Sequence, residues 1–241
     1  MVANLYSLPE DNNQNAGERL VETVYAQLHQ DILFGIYEPS SKLKFDGLRR
    51  RYEASANTIR EALARLVVEG LVETEGQRGA SVVPITMEGL HDITETRILL
   101  ECQAARLSLA VADLQWEGEV MAAHYKLAKA EELAFEDHDQ YRNLLERYDC
   151  DFHRTIISGC QSHWILRFHA VMYDHMLRYR SQALKTIDEA QRTEMLFRAQ
   201  SDHVMLRDAA LNKDANQVVE YLQIHIRKGK EFAQQSTISS S

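Results

Sequence analysis

From Glu18 to Phe34 the apolar side chains Leu20, Val24, Leu28 and Ile32 recur every four residues, which places them on one face of a helix. Gly35 stops that helix and Pro39 closes the region. Leu48 to Tyr52 reads as a short second helix. Ser55 is a good N-cap for a third, from Ala56 to Glu69, whose stripe is Ile59, Leu63, Leu66 and Val67 and whose end is Gly70. Residues 71–74 and 80–83 are short strand-like runs, joined by Glu75-Gly76-Gln77-Arg78-Gly79 with a glycine on each side of a hairpin tip.

After Pro84 the period is helical to the tail, with helices expected at 87–112, 116–136, 139–158, 162–184, 188–211 and 214–234. Ile93, Leu100, Ala104, Leu107 and Val111 share a face of the first; Val218, Leu222 and Ile226 share a face of the last. Connections this short join antiparallel neighbours of a bundle. Both chain ends are polar and offer little apolar surface to offset the entropy of ordering. The expected organisation is a disordered segment 1–16, a domain at 17–84, a helical domain at 88–234 and a disordered tail 235–241. The fold class is mainly α: helix, helix, turn, helix, hairpin is the order of a winged helix-turn-helix, and an antiparallel all-α bundle follows it.

Composition changes this picture little, since 45% hydrophobic and 26% charged residues are ordinary for a globular chain able to bury a core. Three scattered cysteines, Cys102, Cys150 and Cys160, indicate neither a disulfide framework nor a thiolate zinc site, and they fit a reducing compartment. No stretch approaches the roughly 20 uncharged apolar residues of a membrane span, and no cationic leader precedes an apolar run. A cytoplasmic protein without a membrane partner is expected.

A net charge of −9 argues at face value against nucleic acid, because phosphates are neutralised by Lys and Arg. Distribution matters more than the total. Lys42, Lys44, Arg49, Arg50 and Arg51 face only Asp46 across ten positions, just before the third helix. Side chains near the start of a groove-reading helix reach base edges while the preceding elements hold phosphates. Those positions are Ser55, Asn57, Thr58 and Arg60, with Arg49 to Arg51 before them and Gln77 and Arg78 on the wing. Double-stranded operator DNA is the expected partner.

Ser55-Ala-Asn-Thr-Ile-Arg-Glu-Ala-Leu63 and Arg65-Leu66-Val-Val-Glu-Gly70-Leu71-Val72 closely resemble the recognition helix and the start of the wing in the GntR family of bacterial regulators. The resemblance spans residues 18–84. It implies a DNA-contacting role for Arg60 and a wing tip, Gln77 to Gly79, that enters the minor groove. The family usually has basic residues where this chain has Asp46 and Ala56, so an operator sequence does not carry over.

In the helical half, Asp149 and His153 lie four apart on one helix, so they project from one face beside Phe152 and Ile156. His203 falls at helical spacing with Leu206 and Ala210, and His225 with Leu222 and Ile226. Three histidines and an aspartate on inward faces supply an N3O set suited to a divalent metal ion such as Zn, Ni or Mn, with open positions. Most of the ten histidines, including His163, His169 and His175, lack partners at ligand spacing and read as ordinary core or surface residues.

Asp149-x-x-x-His153, Asp202-His203 and Ile224-His225-Ile226, with Glu95-Thr-Arg97-x-x-Leu-Glu101 on the first helix, resemble the FadR-type C-terminal domain, the FCD domain, over residues 88–233. That resemblance implies six or seven helices, a metal that helps bind a small carboxylate effector, pocket roles for Arg97 and Arg178, and a homodimer reading a two-fold operator. A metal-dependent enzyme using the same Asp and His site is the alternative. Against it, no separate acid or base is recognisable beside the ligands, so the expected function is regulation rather than catalysis.

Overall fold

The computed structural model describes residues 16–74 and 79–238, with side chains for 19–74 and 79–234. Residues 1–15 of the expected disordered segment therefore lie outside the described residues, as do Gln77 and Arg78 of the wing tip and residues 239–241. Two compact units divide between Thr86 and Met87.

The first unit runs α1 (Ala16–Leu33), β1 (Lys42–Leu43), α2 (Phe45–Arg51), α3 (Ala56–Val68), β2 (Val72–Thr74) and β3 (Ala80–Val82). Val24, Leu28 and Ile32 of α1 bury against Ile59, Leu63 and Leu66 of α3, with Leu48 of α2 beside them. Leu20 and Val67, expected on the inward stripes, are 40% and 36% exposed, and Val21 and Tyr25 complete α1's buried face instead. The cause is geometric. A strict step of four advances about 40° per repeat on a helix of 3.6 residues per turn, so the ends of a long i, i+4 series drift off one face. α3 ends where Gly70 takes φ 72°, and the Leu71 N–H then reaches the Leu66 carbonyl at 2.9 Å while the Gly70 N–H reaches that of Val67 at 3.1 Å. That closure turns the chain directly into β2. The sheet order is β1-β3-β2, antiparallel throughout, with Lys42 opposite Ser81, Val72 opposite Val82 and Thr74 opposite Ala80. Two residues of β1 are too few to show a period, which is why only the hairpin was expected.

The second unit holds six helices among the described residues: α4 (Met87–Leu109), α5 (Leu114–Glu136), α6 (His138–Ile157), α7 (His163–Ala183), α8 (Glu189–Leu211) and α9 (Ala215–Ile238). A 3₁₀ turn, Ser158–Cys160, precedes α7. α9 continues into the tail expected to be disordered from 235. The helix starts are chemically marked: Asp113, Asp137, Ser162 and Asp188 each accept a backbone N–H three residues on, and Gln191 completes a capping box with Asp188. Such caps permit short connections, and Asp137 alone separates α5 from α6. α4 packs against α6, α7 and α9, α5 against α6 and α8, and α8 against α9. Leu127, Phe152, Ile156, Leu206 and Leu222 form the middle of the core. Among the described residues no helix is long and apolar enough to cross a membrane.

One expected face is corrected. α4 turns inward Leu90, Ile98, Ala104 and Ala105 together with Thr94, Arg97, Glu101 and Ser108, whereas Leu107 and Val111 are 39% and 54% exposed. An apolar period alone misses a buried face that carries four polar groups.

The contact of α4 with the 3₁₀ turn gives a direct test of packing. The Gly159 N–H donates to Ser108 Oγ at 3.0 Å, and a Cβ on Gly159 would lie 2.8 Å from that oxygen and 3.2 Å from the Ser108 carbonyl. Gly159→Ala should therefore lower the unfolding free energy by about 1–3 kcal/mol. Gly118, exposed inside α5 with open space where its Cβ would be, should instead gain about 0.5–1 kcal/mol on replacement by Ala. Urea denaturation of the two variants measures both, and equal stabilities would contradict the packing described.

Candidate metal centre and nucleic-acid interface

In the first unit the capping residue sets the start of α3. Ser55 Oγ accepts the Thr58 N–H at 3.2 Å and meets Thr58 Oγ1 at 2.9 Å, so the first turn is fixed by its own side chains. Asn57 and Arg60 then stand exposed one turn apart. They are tied to each other, since the Arg60 guanidinium donates to Asn57 Oδ1 at 3.2 Å and lies 5.3 Å from the centre of the Phe45 ring. Arg49 and Arg50 are exposed in the last turn of α2, and Lys42 and Lys44 are exposed beside β1.

Two of the residues expected at the interface also have partners within the unit. Arg51 bonds Asp31 of α1 at 2.8 Å and lies within 6 Å of the Tyr37 and Tyr52 rings, which fastens α2 to α1. Thr58 is buried with its hydroxyl turned to Ser55. The surface thus presents Arg49, Arg50, Arg51, Ser55, Asn57 and Arg60, with Gly79 at φ 113° where the wing returns to β3.

In the second unit α6 carries Asp149 and His153 one turn apart, α8 brings His203, and α9 brings His225. One ligand atom from each lies within 4.8 Å of the others. Asp149, His153 and His203 are buried and the His225 side chain is 16% exposed. Each imidazole Nδ1 faces a carboxylate: His203 is 2.7 Å from Glu131 of α5, His225 is 3.4 Å from Asp202, and His153 is 3.6 Å from Glu101 of α4. At His203 and His225, where the contact is a hydrogen bond, a carboxylate on one ring nitrogen fixes the tautomer and leaves the other as a lone pair, the arrangement that supports metal-ligating histidines, whereas His153 Nδ1 makes no hydrogen bond. The buried Nε2 atoms of His153 and His203 both turn toward Asp149, at 3.9 and 3.2 Å, and with a lone pair on each neither makes a hydrogen bond. Buried polar atoms without partners are uncommon in folded proteins, and a cation at this point satisfies both. The residues fit a divalent ion on that ground.

Asp149 is held by a second set that the sequence did not reveal. Its Oδ2 accepts the Tyr173 hydroxyl and, at 3.2 Å, the Arg180 guanidinium, which also bonds Glu146. Burial would raise the Asp149 carboxyl, but Arg180 and the histidines hold it well below the usual carboxylate range. Burial would lower His203, yet Asp149 and Glu131 lift it to about 9, so without an ion a proton supplies positive charge between two carboxylates. His225 goes the other way, pushed down to about 4 chiefly by burial. Glu101, fully buried, is kept ionised by Arg97 at 2.7 Å and by His169 at 3.4 Å. Glu101, Glu131, Glu146, Tyr173 and Arg180 were absent from the expected site, and His169 was read as ordinary. The one available signal was Glu101, four residues after Arg97.

A cavity of about 320 Å³ adjoins the four ligands. Arg97 and Arg180 line it, but Arg178 does not, although it too is buried. Two residues along a helix turn about 200°, which sets Arg180 on the cavity side of α7 and Arg178 off it.

Comparison with known proteins agrees with this layout. The profile of bacterial regulatory proteins, gntR family, matches residues 20–82, and that of the FCD domain matches residues 92–228. The chain is 35% identical over 216 residues to BphR of Paraburkholderia xenovorans, described as an uncharacterized HTH-type transcriptional regulator, covering 90% of this chain and 86% of that protein. It is 31% identical over 205 residues to the HTH-type transcriptional repressor GlaR of Escherichia coli, covering 84% and 90%. The solved structure of E. coli McbR/YncC shares the fold, with a TM-score of 0.74 at 19% identity over 90% of this chain and 97% of that one. The metalloenzyme alternative is set aside, since both profiles and the relatives are those of regulators. With an exposed arginine and asparagine on its recognition helix and an FCD bundle behind Met87, the chain belongs to the GntR family of DNA-binding transcriptional regulators, in the group that carries an FCD domain.

Proposed function

We propose that this regulator acts in the cytoplasm as a homodimer on a two-fold operator, and that a small carboxylate controls its affinity from a divalent-metal site made by Asp149, His153, His203 and His225. The observation that carries the reading is the convergence of four donors within 4.8 Å, with a carboxylate at each imidazole Nδ1, on the wall of a cavity. Zn, Ni or Mn each accepts such an N3O set, and open coordination positions supply the positive charge that binds an anion. Arg97 and Arg180 orient the protein's own carboxylates around that point. DNA contact rests on Arg49, Arg50, Ser55, Asn57 and Arg60, with Gln77 to Gly79 of the wing as further contacts.

Homodimerisation is assigned to the helical unit. Leu99 of α4 is 71% exposed, and Trp164 and Phe168 of α7 are 60% and 50% exposed with their rings stacked. α4 and α7 pack against each other, so these side chains belong to adjoining helices, and exposed aromatic groups of this size mark association surfaces.

Three outcomes test the proposal. Arg60→Ala should weaken specific operator binding at least about tenfold, since a recognition-helix contact is worth about 1–3 kcal/mol, while thermal unfolding stays unchanged. A gel-shift titration at fixed salt reads this, and equal affinities would remove Arg60 from the interface. His203→Ala should lose its ion, because even partners of metal ligands cost 10- to 100-fold in affinity when removed. Elemental analysis paired with calorimetry against small carboxylic acids checks it. A wild type that holds no divalent metal and gains no stability from Zn, Ni or Mn would overturn the metal site; unchanged carboxylate binding by the variant would make the ion structural. Finally, Trp164→Glu with Phe168→Glu should give a monomer at micromolar concentration in sedimentation, whereas an intact dimer would place the interface elsewhere.

A further inference from the structure

We infer that the effector is a monocarboxylate with an apolar body, an aliphatic chain or a single aromatic ring, and not a dicarboxylate or a polyhydroxylated acid. The inference rests on the metal-anchored reading above and concerns which carboxylates that site accepts.

The first ground is charge. Every cation that lines the cavity already has a carboxylate partner: Arg97 has Glu101 at 2.7 Å, Arg198 has Glu194 at 2.6 Å, Lys228 has Asp202 at 2.6 Å, and Arg180 has Asp149 and Glu146. Six carboxylates and four such cations line the space, and Arg97 is already answered by Glu101 behind it, so even a divalent ion leaves no excess of positive charge there. Burial keeps the lining His138 in its neutral form. One bound carboxylate finds its charge on the ion. A second would meet no unpaired cation among the described residues, and burying an unpaired charge is strongly unfavourable.

The second ground is the position of the apolar lining. Leu145 precedes Asp149 by one turn of α6, Met195 and Leu196 precede His203 by about two turns of α8, Leu184 follows Arg180 by one turn at the end of α7, and Phe232 follows His225 by about two turns of α9. Short connections make α6 with α7, and α8 with α9, antiparallel pairs. The start of one helix in each pair therefore lies beside the end of the other, and these side chains form a collar at one end of the bundle. Seven residues of helix rise about 10 Å, so the collar begins beside the ion and extends about that far. A carboxylate on the ion thus points its body into apolar side chains. Of the polar side chains at the same end, Glu194 and Arg198 answer each other, Gln191 caps α8, and His138 Nδ1 makes no hydrogen bond, so a run of several hydroxyl groups placed there would regain only part of the hydrogen bonding it has in water.

A panel on one six-carbon skeleton tests this. Metal-loaded full-length protein is titrated by calorimetry with hexanoate, adipate and gluconate. Hexanoate should bind at least about tenfold more tightly than either of the others, because a second charge, or several hydroxyl groups, would leave water without full replacement of their partners. Adipate or gluconate binding as tightly as hexanoate, or no binding by any of the three, would overturn the inference. Met195→Arg supplies a cation inside the collar and should shift the adipate-to-hexanoate affinity ratio at least about tenfold toward adipate; an unchanged ratio counts against the collar as the body's seat. The same titrations on metal-stripped protein separate this inference from the reading beneath it. Hexanoate preference that survives removal of the ion leaves the apolar body standing and refutes the metal anchor alone.

Discussion

Burial of negative charge in the middle of a helical bundle is the constraint on which the second unit depends. Glu101, Glu131 and Asp149 are 0%, 2% and 5% exposed, and isolated carboxylates at such depth would be neutralised or would unfold the core. Each is answered from another helix or from its own next turn: Arg97 and His169 for Glu101, His203 for Glu131, and Arg180 with Tyr173 for Asp149. Five helices, α4 to α8, are thereby joined through charge as well as through Phe152 and Leu206. The remaining imbalance sits where His153, His203 and His225 converge with Asp149. There His203 is raised to about 9 by its two carboxylates, the electrostatic signature of a place that holds positive charge.

The first unit resolves its own electrostatic problem by segregation. An acidic chain with net charge −9 still exposes Lys42, Lys44, Arg49, Arg50 and Arg60 on neighbouring elements, and between Lys42 and Arg51 the one acidic residue is Asp46, 4.0 Å from Arg49. Capping by Ser55 and the contact of Arg60 with Phe45 hold the recognition side chains before DNA arrives, which reduces the rotamer entropy lost on binding. Arg51 shows why a basic run is not read as one unit. It is as exposed as its two neighbours, yet it alone of the three is also tied to Asp31 and two tyrosine rings at the joint between α1 and α2.

Element type and order were legible in the sequence because caps, glycines and apolar periods agree with one another at nearly every boundary. The convergence of Asp149, His153, His203 and His225 was legible too, since Asp149 and His153 lie at i, i+4 and His203 and His225 sit beside Leu206 and Ile226. Their supports were not. Glu131 lies in a run of Lys, Glu and Ala that looks like any solvated helix face, and its partner His203 is far along the chain. Arg180 was passed over for Arg178 because register within a helix decides which of two arginines faces a cavity, and period-counting does not fix register to that precision. The inward face of α4 escaped for a related reason: apolar periodicity finds apolar faces, and this one buries Thr94, Arg97, Glu101 and Ser108.

The donor set also bears on how a ligand at the proposed site would act. A bound carboxylate alters operator affinity only through a difference in its affinity for two arrangements of the protein, however tightly it binds. Asp149 and His153 share α6 and move together, so a change there shifts two donors at once. His225 is the single ligand from α9 and the least buried of the four. Asp202 of α8 holds both His225, at 3.4 Å, and Lys228, at 2.6 Å, so one carboxylate carries much of the polar connection between α8 and α9. An anion on the ion competes for the same positive charges that Asp202 answers. At the proposed site the α8–α9 pair is therefore where binding of a carboxylate and rearrangement of the bundle would be most directly exchanged, because the other three donors are braced from further helices, Asp149 by Tyr173 and Arg180 of α7, His153 by Glu101 of α4 and His203 by Glu131 of α5.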